Sequence, residues 1–248
     1  MNMFNKYENK NLFFKAIDIL KEKGAINLSL QFYRFSKQKL FFLLSPMIIL
    51  LKKDKFFLFE NKKLKYFYHG YNATWTNGRC IEVPIIMSYI QNGYNSHILE
   101  FGSVLPHYYP VRWDVLDKFE IRKKVINEDV IDFYPSNKYN LIVSISTLEH
   151  VGFDDDNKDP EKPLKAVLHL KEHCLENNGK MIFTVPIGYN PSIDFLLFKN
   201  NSVFNKKYYF RNYPKKGWIE ISEEIARNTN YDYNSEVADT IGIVIVDK

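Results

Sequence analysis

Two regimes of apolar spacing divide the chain. In the first part the clusters are irregular. Asn11–Lys23 places Leu12, Phe13, Ala16, Ile17, Ile19 and Leu20 at helical spacing and stops at Gly24. Leu40–Leu51 is a dense apolar run with Ser45-Pro46 in its middle and lysines on both flanks, which predicts a buried helix or helix–turn pair. A membrane-spanning helix needs about 20 apolar residues. Phe56–Phe59 and Leu64–Tyr68, separated by Glu60-Asn61-Lys62-Lys63, predict a hairpin.

From Arg79 onward the spacing alternates between helix and strand. Ile81–Asn92 is predicted helical, with Ile85, Ile86, Tyr89 and Ile90 on one side and Gly93 as its stop. Short strands are predicted at His97–Phe101, Trp113–Phe119 and Val125–Asn127. Tyr139–Ser146 is nearly continuous apolar, as in a strand covered on both faces of a parallel sheet. A loop rich in Asp and Pro follows, and Leu164–Leu175 is predicted as an amphipathic helix closed by Asn177-Asn178-Gly179. Lys180–Val185 and Gly242–Val246 are further strands. This alternation predicts a doubly wound, mostly parallel α/β sheet over residues 69–248, preceded by a helical and hairpin extension over residues 1–68.

Composition narrows the function classes. The 248 residues carry 34 Lys+Arg against 29 Asp+Glu, a net charge of +5, with no basic block of the kind that marks a nucleic-acid tail. Cys80 and Cys174 are too few for a disulfide framework or a four-thiolate metal site, and are read as two buried thiols. Met1–Lys10 is polar and lacks the apolar run of a secretory signal, so a cytoplasmic protein is expected.

Open α/β sheets bind ligands beyond the carboxyl ends of their strands, so the residues after each strand are the candidates. The first gives Ile98-Leu99-Glu100-Phe101-Gly102-Ser103, an acid beside a tight glycine turn. The second ends at Asp117, a carboxylate placed to chelate ribose hydroxyls. The third is followed by Asp129 and Val130, acidic then apolar, which suits an adenine ring. The fourth leads to Ser146-Thr147-Leu148-Glu149-His150-Val151. There is no Gly-x-Gly-x-x-Gly string and no Walker loop.

In order and spacing these pieces resemble the class I S-adenosylmethionine-dependent methyltransferases, over about Arg79–Lys248. The resemblance implies a Rossmann-like sheet, S-adenosylmethionine as cofactor, and contacts to it from Arg79, Glu100, Gly102, Asp117, Asp129, Val130 and Ser146. It departs from the family pattern at the first loop. A single Gly102 is followed by Pro106 and Pro110, which leave little room for a first helix, so an unusual cofactor loop is expected. The stretch from Tyr68 to Glu82 is similar to the segment before the core in a methyltransferase group associated with surface-polysaccharide gene sets.

The function this implies is O-methylation of a carbohydrate-type or phosphorylated small acceptor, with a non-catalytic binding module of the same fold as the alternative. His150 is the candidate base and His107 its rival; each is equally readable as a packing residue. Arg79 meets either the cofactor carboxylate or Glu82, and His69, Tyr71 and Trp75 are candidate acceptor-wall residues. Asp154-Asp155-Asp156 is read as a solvated loop. No metal site, nucleic-acid partner or spanning segment is expected, and a homodimer is left open.

Overall fold

The computed structural model describes residues 29, 33, 36, 39–52, 55–91, 97–199, 203–233 and 237–248. The expected helix at Asn11–Lys23 lies outside them. The chain forms two compact units, Met1–Lys53 with Tyr68–Ala73, and Asp54–Phe67 with Thr74–Lys248.

In the first unit, helix α1 runs through residues 39–52. Its buried strip is narrow and centres on Ser45, where Gly70 approaches so closely that a Cβ there would lie 2.7 Å from Ser45 Oγ. Leu43, Leu50 and Leu51 are exposed, so the helix is present but not buried as expected. One contact strip leaves the other faces of the apolar run outside.

The second unit opens with a hairpin of β1 (Phe56–Phe59) and β2 (Lys62–Lys65). Its turn has two residues rather than the expected four, and β2 starts earlier than expected. Glu60 and Asn61 both adopt left-handed backbone, at φ 47° and 61°, which closes a two-residue turn matched to strand twist. Helix α2 (Arg79–Gln91) follows, with Cys80, Ile81, Val83, Ile85, Ile86 and Ile90 all buried. Pro84 sits inside it and cannot bond the carbonyl four residues back. That carbonyl, of Cys80, instead accepts the amide of Phe67 at 2.9 Å, fastening the hairpin's exit to the helix.

The main sheet contains β3 (Ile98–Phe101), β4 (Asp114–Leu116), β5 (Val125–Ile126), β6 (Tyr139–Ile145), β7 (Leu175–Pro186), β8 (Lys206–Tyr213), β9 (Gly217–Ile221) and β10 (Thr240–Asp247). Their order is β5-β4-β3-β6-β7-β10-β8-β9. β3 to β7 are mutually parallel, whereas β10 runs antiparallel between β7 and β8. This is the doubly wound, mostly parallel arrangement expected. The chain moves outward from β3 to β5, then returns to β6 on the other side of β3, so the strand order reverses between β3 and β6.

Three boundaries differ from the sequence expectation. β4 ends at Leu116 because Asp117 turns the chain, accepting the amides of Phe119 and Glu120 at 2.8 Å each. The helix after β6, α3 (Lys162–His169), widens into a turn at Leu170–Cys174, and Leu175 already pairs with Tyr139. Asn177-Asn178-Gly179 is therefore an excursion inside β7, with Asn178 at φ 66°, not a helix stop. Between β7 and β10, α4 (Pro191–Phe198), β8, β9 and α5 (Glu223–Arg227) were not legible in the apolar pattern. Cys80 and Cys174 are buried, and no disulfide joins them.

Phe183 is fully buried in the middle of β7, between β6 and β10. Phe183→Ala should lower the unfolding free energy by about 3–5 kcal/mol through lost transfer energy and the cavity it leaves, measured by urea denaturation. A loss below about 1 kcal/mol would mean that the sheet closes over the site.

Candidate active site

The reversal of strand order between β3 and β6 opens a crevice at the carboxyl edge of the sheet, where folds of this class take ligands. On the β3 side the loop is built around Glu100. Its Oε1 accepts the amides of Val104 (2.9 Å) and Leu105 (2.6 Å), and its Oε2 accepts the indole N–H of Trp113 (3.1 Å). Burial pushes the carboxyl up to about 7, against the three N–H donors, which favour its charged form. The helix expected to be missing is missing: a single short turn, Leu105–His107, fills the connection. Gly102 holds φ 89°, and a Cβ there would lie 2.0 Å from Thr147 Oγ1, so the two loops flanking the crevice touch at this glycine. Ser103 Oγ is buried with no hydrogen-bond partner among the described residues.

Asp117, after β4, is half-buried and also holds the loop, its Oδ2 accepting the amide of Ser103 at 3.0 Å. A carboxylate has about four acceptor positions, and three protein amides use three of them here. Asp129 lies in an ion network. Lys162 Nζ stands 2.7 Å from its Oδ2 and 2.6 Å from Asp155, while Lys118 Nζ lies 3.0 Å and 3.2 Å from the same two acids. Burial raises Asp129, but the two lysines outweigh it and hold its carboxyl below the usual range. Val130 is buried beside it. His107 faces Glu120 at 3.4 Å, with Arg122 on its other nitrogen.

On the β6 side, Ser146 adopts φ 41° and its hydroxyl bonds Glu82, whose Oε1 also accepts from Thr184 at 2.7 Å. Arg79 pairs with Glu82 at 2.6 Å. Glu149 is 1% exposed, and its Oε2 has no partner among the described residues. Burial pushes it up to about 7. Asn190, the N-cap of α4, fixes this turn by donating to the Glu149 carbonyl at 2.8 Å.

His150 Nδ1 lies 2.5 Å from Asp154 Oδ2, which also accepts the Tyr189 hydroxyl at 2.8 Å. Burial raises Asp154, yet these two bonds prevail and keep it below the usual carboxylate range. His150 Nε2 is 3.7 Å from Glu149 Oε1. Tyr189 packs edge-on to His150, and Phe153, Tyr231 and Tyr233 surround it at ring distances of 5.5, 5.1 and 6.0 Å.

The structure thus gathers Arg79, Ser146 and His150 with Glu149 at the end of β6, and Glu100, Gly102 and Asp117 around the β3 loop. Asp129 and Val130 lie after β5, and His107 belongs to the β4 side, in a cluster separate from that of His150. His69 and Tyr71 fall in the other compact unit and Trp75 in this one. The acidic run is only partly a solvated loop: Asp156 is exposed, but Asp154 and Asp155 are not. Asp154 serves His150 and Tyr189, and Asp155 serves two lysines, because the loop folds back over the strand ends. Sequence reasoning missed Asp154 as a histidine partner, although its i,i+4 spacing from His150 was a signal. It also missed the Tyr189, Tyr231 and Tyr233 cluster, assembled from distant segments. Among the described residues, no three metal-binding side chains gather.

No family model and no curated protein matches the chain. Solved structures do. The chain is similar to N-methyltransferase NodS of Bradyrhizobium japonicum WM9, crystallised with S-adenosyl-L-homocysteine, at 11% identity over 67% of this chain and 85% of that one, with a TM-score of 0.43. It is similar to an S-adenosylmethionine-dependent methyltransferase of Clostridium acetobutylicum ATCC 824 at 11% identity over 65% and 88%, TM-score 0.34. For the YcgJ protein of Bacillus subtilis the figures are 12%, 67% and 97%, and 0.37. At these distances no residue role passes from them to this chain.

Glu149 has a pH signature. Its folded value of about 7 lies above its ordinary 4.5, so its contribution is present in full below pH 4.5 and is lost as pH rises through 7. Glu149→Gln removes that dependence. Between pH 4.5 and 8 the variant should gain about 3 kcal/mol relative to wild type in urea denaturation. A pH-independent difference would assign the proton elsewhere.

Proposed function

We propose that the chain is an S-adenosylmethionine-dependent methyltransferase that methylates an oxygen of a carbohydrate-type or phosphorylated small acceptor. One observation carries the reading. Ser103 Oγ and Glu149 Oε2, two buried polar atoms without partners among the described residues, lie on the two loops flanking the strand-order reversal. Buried polar groups are nearly always paired, so this crevice is built for a polar ligand. The residues fit a nucleoside donor, with a remaining acceptor position on Asp117 for a ribose hydroxyl and apolar Val130 beyond it for a base. The bound donor would supply a methyl group made electrophilic by a sulfonium.

The chain's own residues align and deprotonate. Asp117 holds the ribose end, and the Gly102–Thr147 contact sets the width of the crevice. Asp154 takes the Nδ1 proton side of His150 and leaves Nε2 basic, so His150 removes the acceptor hydroxyl proton as that oxygen is methylated. The aromatic group around Tyr189 supports a sugar-like acceptor, because ring faces pack against C–H surfaces while His150 meets a hydroxyl. A role in surface-polysaccharide modification rests on the resemblance of Tyr68–Glu82. A cytoplasmic setting is part of this proposal, and no helix among the described residues is long and apolar enough to cross a membrane.

The single Gly102 and the inward-turned Glu100 favour one rival, a binding module without catalysis. Calorimetry with S-adenosylhomocysteine separates the two, since saturable binding is expected and its absence overturns the donor reading. Asp117→Ala should weaken that binding about 10- to 100-fold, the size of one charge-assisted bond. An unchanged Kd in a folded variant removes Asp117 from the site. His150→Ala should lower turnover by about 10²–10⁴ with donor affinity retained. A loss under about tenfold, with His107→Ala also mild, points to an acceptor oxygen that is already ionised.

A further inference from the structure

Glu149 is a buried acid whose nearest cations among the described residues, Arg79 and His150, already hold other acids. From α2 it faces Arg79 and Glu82, which neutralise each other at 2.6 Å, and Glu82 is further held by Ser146 and Thr184. In its own turn it faces His150, 3.7 Å away and already bonded to Asp154. From the segment after β7 it faces the Tyr189 hydroxyl, which is donated to Asp154. Among the described residues both cations near Glu149 are held by other acids, and its Oε2 accepts from nothing.

The ribose and base positions lie toward β4 and β5, so the sulfur end of a donor in this crevice lies toward β6, where Glu149 stands. We propose that Glu149 is the electrostatic partner of the donor's sulfonium, holding a proton in the ligand-free chain and giving it up when the cationic donor binds. This rests on the methyltransferase reading above.

The same residue then closes the proton balance of the transfer. The acceptor O–H bond breaks and its electron pair forms the new O–C bond. The S–C bond breaks with its pair left on sulfur, and the proton passes through His150 Nε2 to the Glu149 carboxylate. A cation and a carboxylate become a neutral thioether and a neutral acid, so the buried site carries no net charge at either end of the reaction. Such a site discriminates against its own product by charge, because only the donor stabilises ionised Glu149.

Glu100, the other buried acid raised to about 7, has both oxygens taken by structural N–H donors. The test is calorimetry of S-adenosylmethionine and S-adenosylhomocysteine on the full chain, in phosphate and in Tris at pH 7. With Glu149 near 7, donor binding should release about half a proton more than product binding, with a larger difference at pH 6 than at pH 8.

Glu149→Gln should abolish that difference while S-adenosylhomocysteine affinity stays within a few-fold. In wild type the donor-to-product affinity ratio should also rise, by up to about tenfold between pH 6 and pH 8, as ionising Glu149 stops opposing donor binding. This second measurement decides the matter if the variant does not fold. Equal proton release by the two ligands in wild type, a difference that survives in Glu149→Gln, or a pH-independent affinity ratio overturns the proposal with the methyltransferase reading intact. Failure of both ligands to bind overturns that reading and this inference with it.

Discussion

Glu100 accepts the amides of Val104 and Leu105 and the indole of Trp113 from a fully buried position on β3. A parallel connection between adjacent strands normally spans its crossover with a helix, whose own hydrogen bonds satisfy the backbone. Here residues 102–113 contain one short turn, so several amides of the loop must find partners elsewhere. Glu100 supplies two of them and Asp117 a third, at Ser103. An ionised carboxylate is a strong acceptor for such amides, while burial works against its charge, so the loop's shape and the protonation of Glu100 are coupled. The position of Gly102 against Thr147, and with it the width of the crevice, follows from this arrangement.

The parts legible in the sequence were those whose signal is local. Tyr139–Ile145 is buried along most of its length and reads as a continuous apolar run, so the central strand and the residues that follow it were placed correctly. Pro106 and Pro110 correctly excluded a helix after β3. β8 was invisible because its sequence, Lys-Lys-Tyr-Tyr-Phe-Arg-Asn-Tyr, mixes lysines and tyrosines on both faces. Tyrosine can bury its ring and still reach a polar partner, as Tyr208 does with Glu60 and Tyr209 with Glu223, so it blurs the period-2 pattern. The sheet's antiparallel half depends on such residues.

Within the candidate site, position was easier to read than environment. The sequence shows that an acid and a histidine follow β6, but not that Glu149 is sealed from solvent while its neighbour His150 is partly open. That difference arises from the turn Leu148–His150, which sends adjacent side chains in different directions, and from Asn190 holding the turn from a segment 41 residues away. The aspartate run looks like a solvated stretch because most of what holds it is remote. Beyond His150, four residues before Asp154, the partners of Asp154 and Asp155 are Tyr189, Lys118 and Lys162, from three other places in the chain.

The same loop links the two sides of the crevice. It is pinched by Gly152, whose φ of 70° and close approach to the Asp159 carbonyl leave no room for a side chain, and whose own carbonyl accepts the Asp159 amide at 2.9 Å. Between these points Asp154 and Asp155 differ in partner, the first serving His150 and Tyr189, the second Lys118 after β4 and Lys162 at the start of α3, which also holds Asp129 after β5. Lys162 and both acids of its pair are largely shielded from water, so this network is less screened than an isolated surface pair. Displacing Asp155 would drag Asp154 from His150, since one peptide unit joins them. The lysine network therefore does more than neutralise Asp129: it helps fix the carboxylate that orients the histidine, and the two halves of the crevice share one loop as their common support.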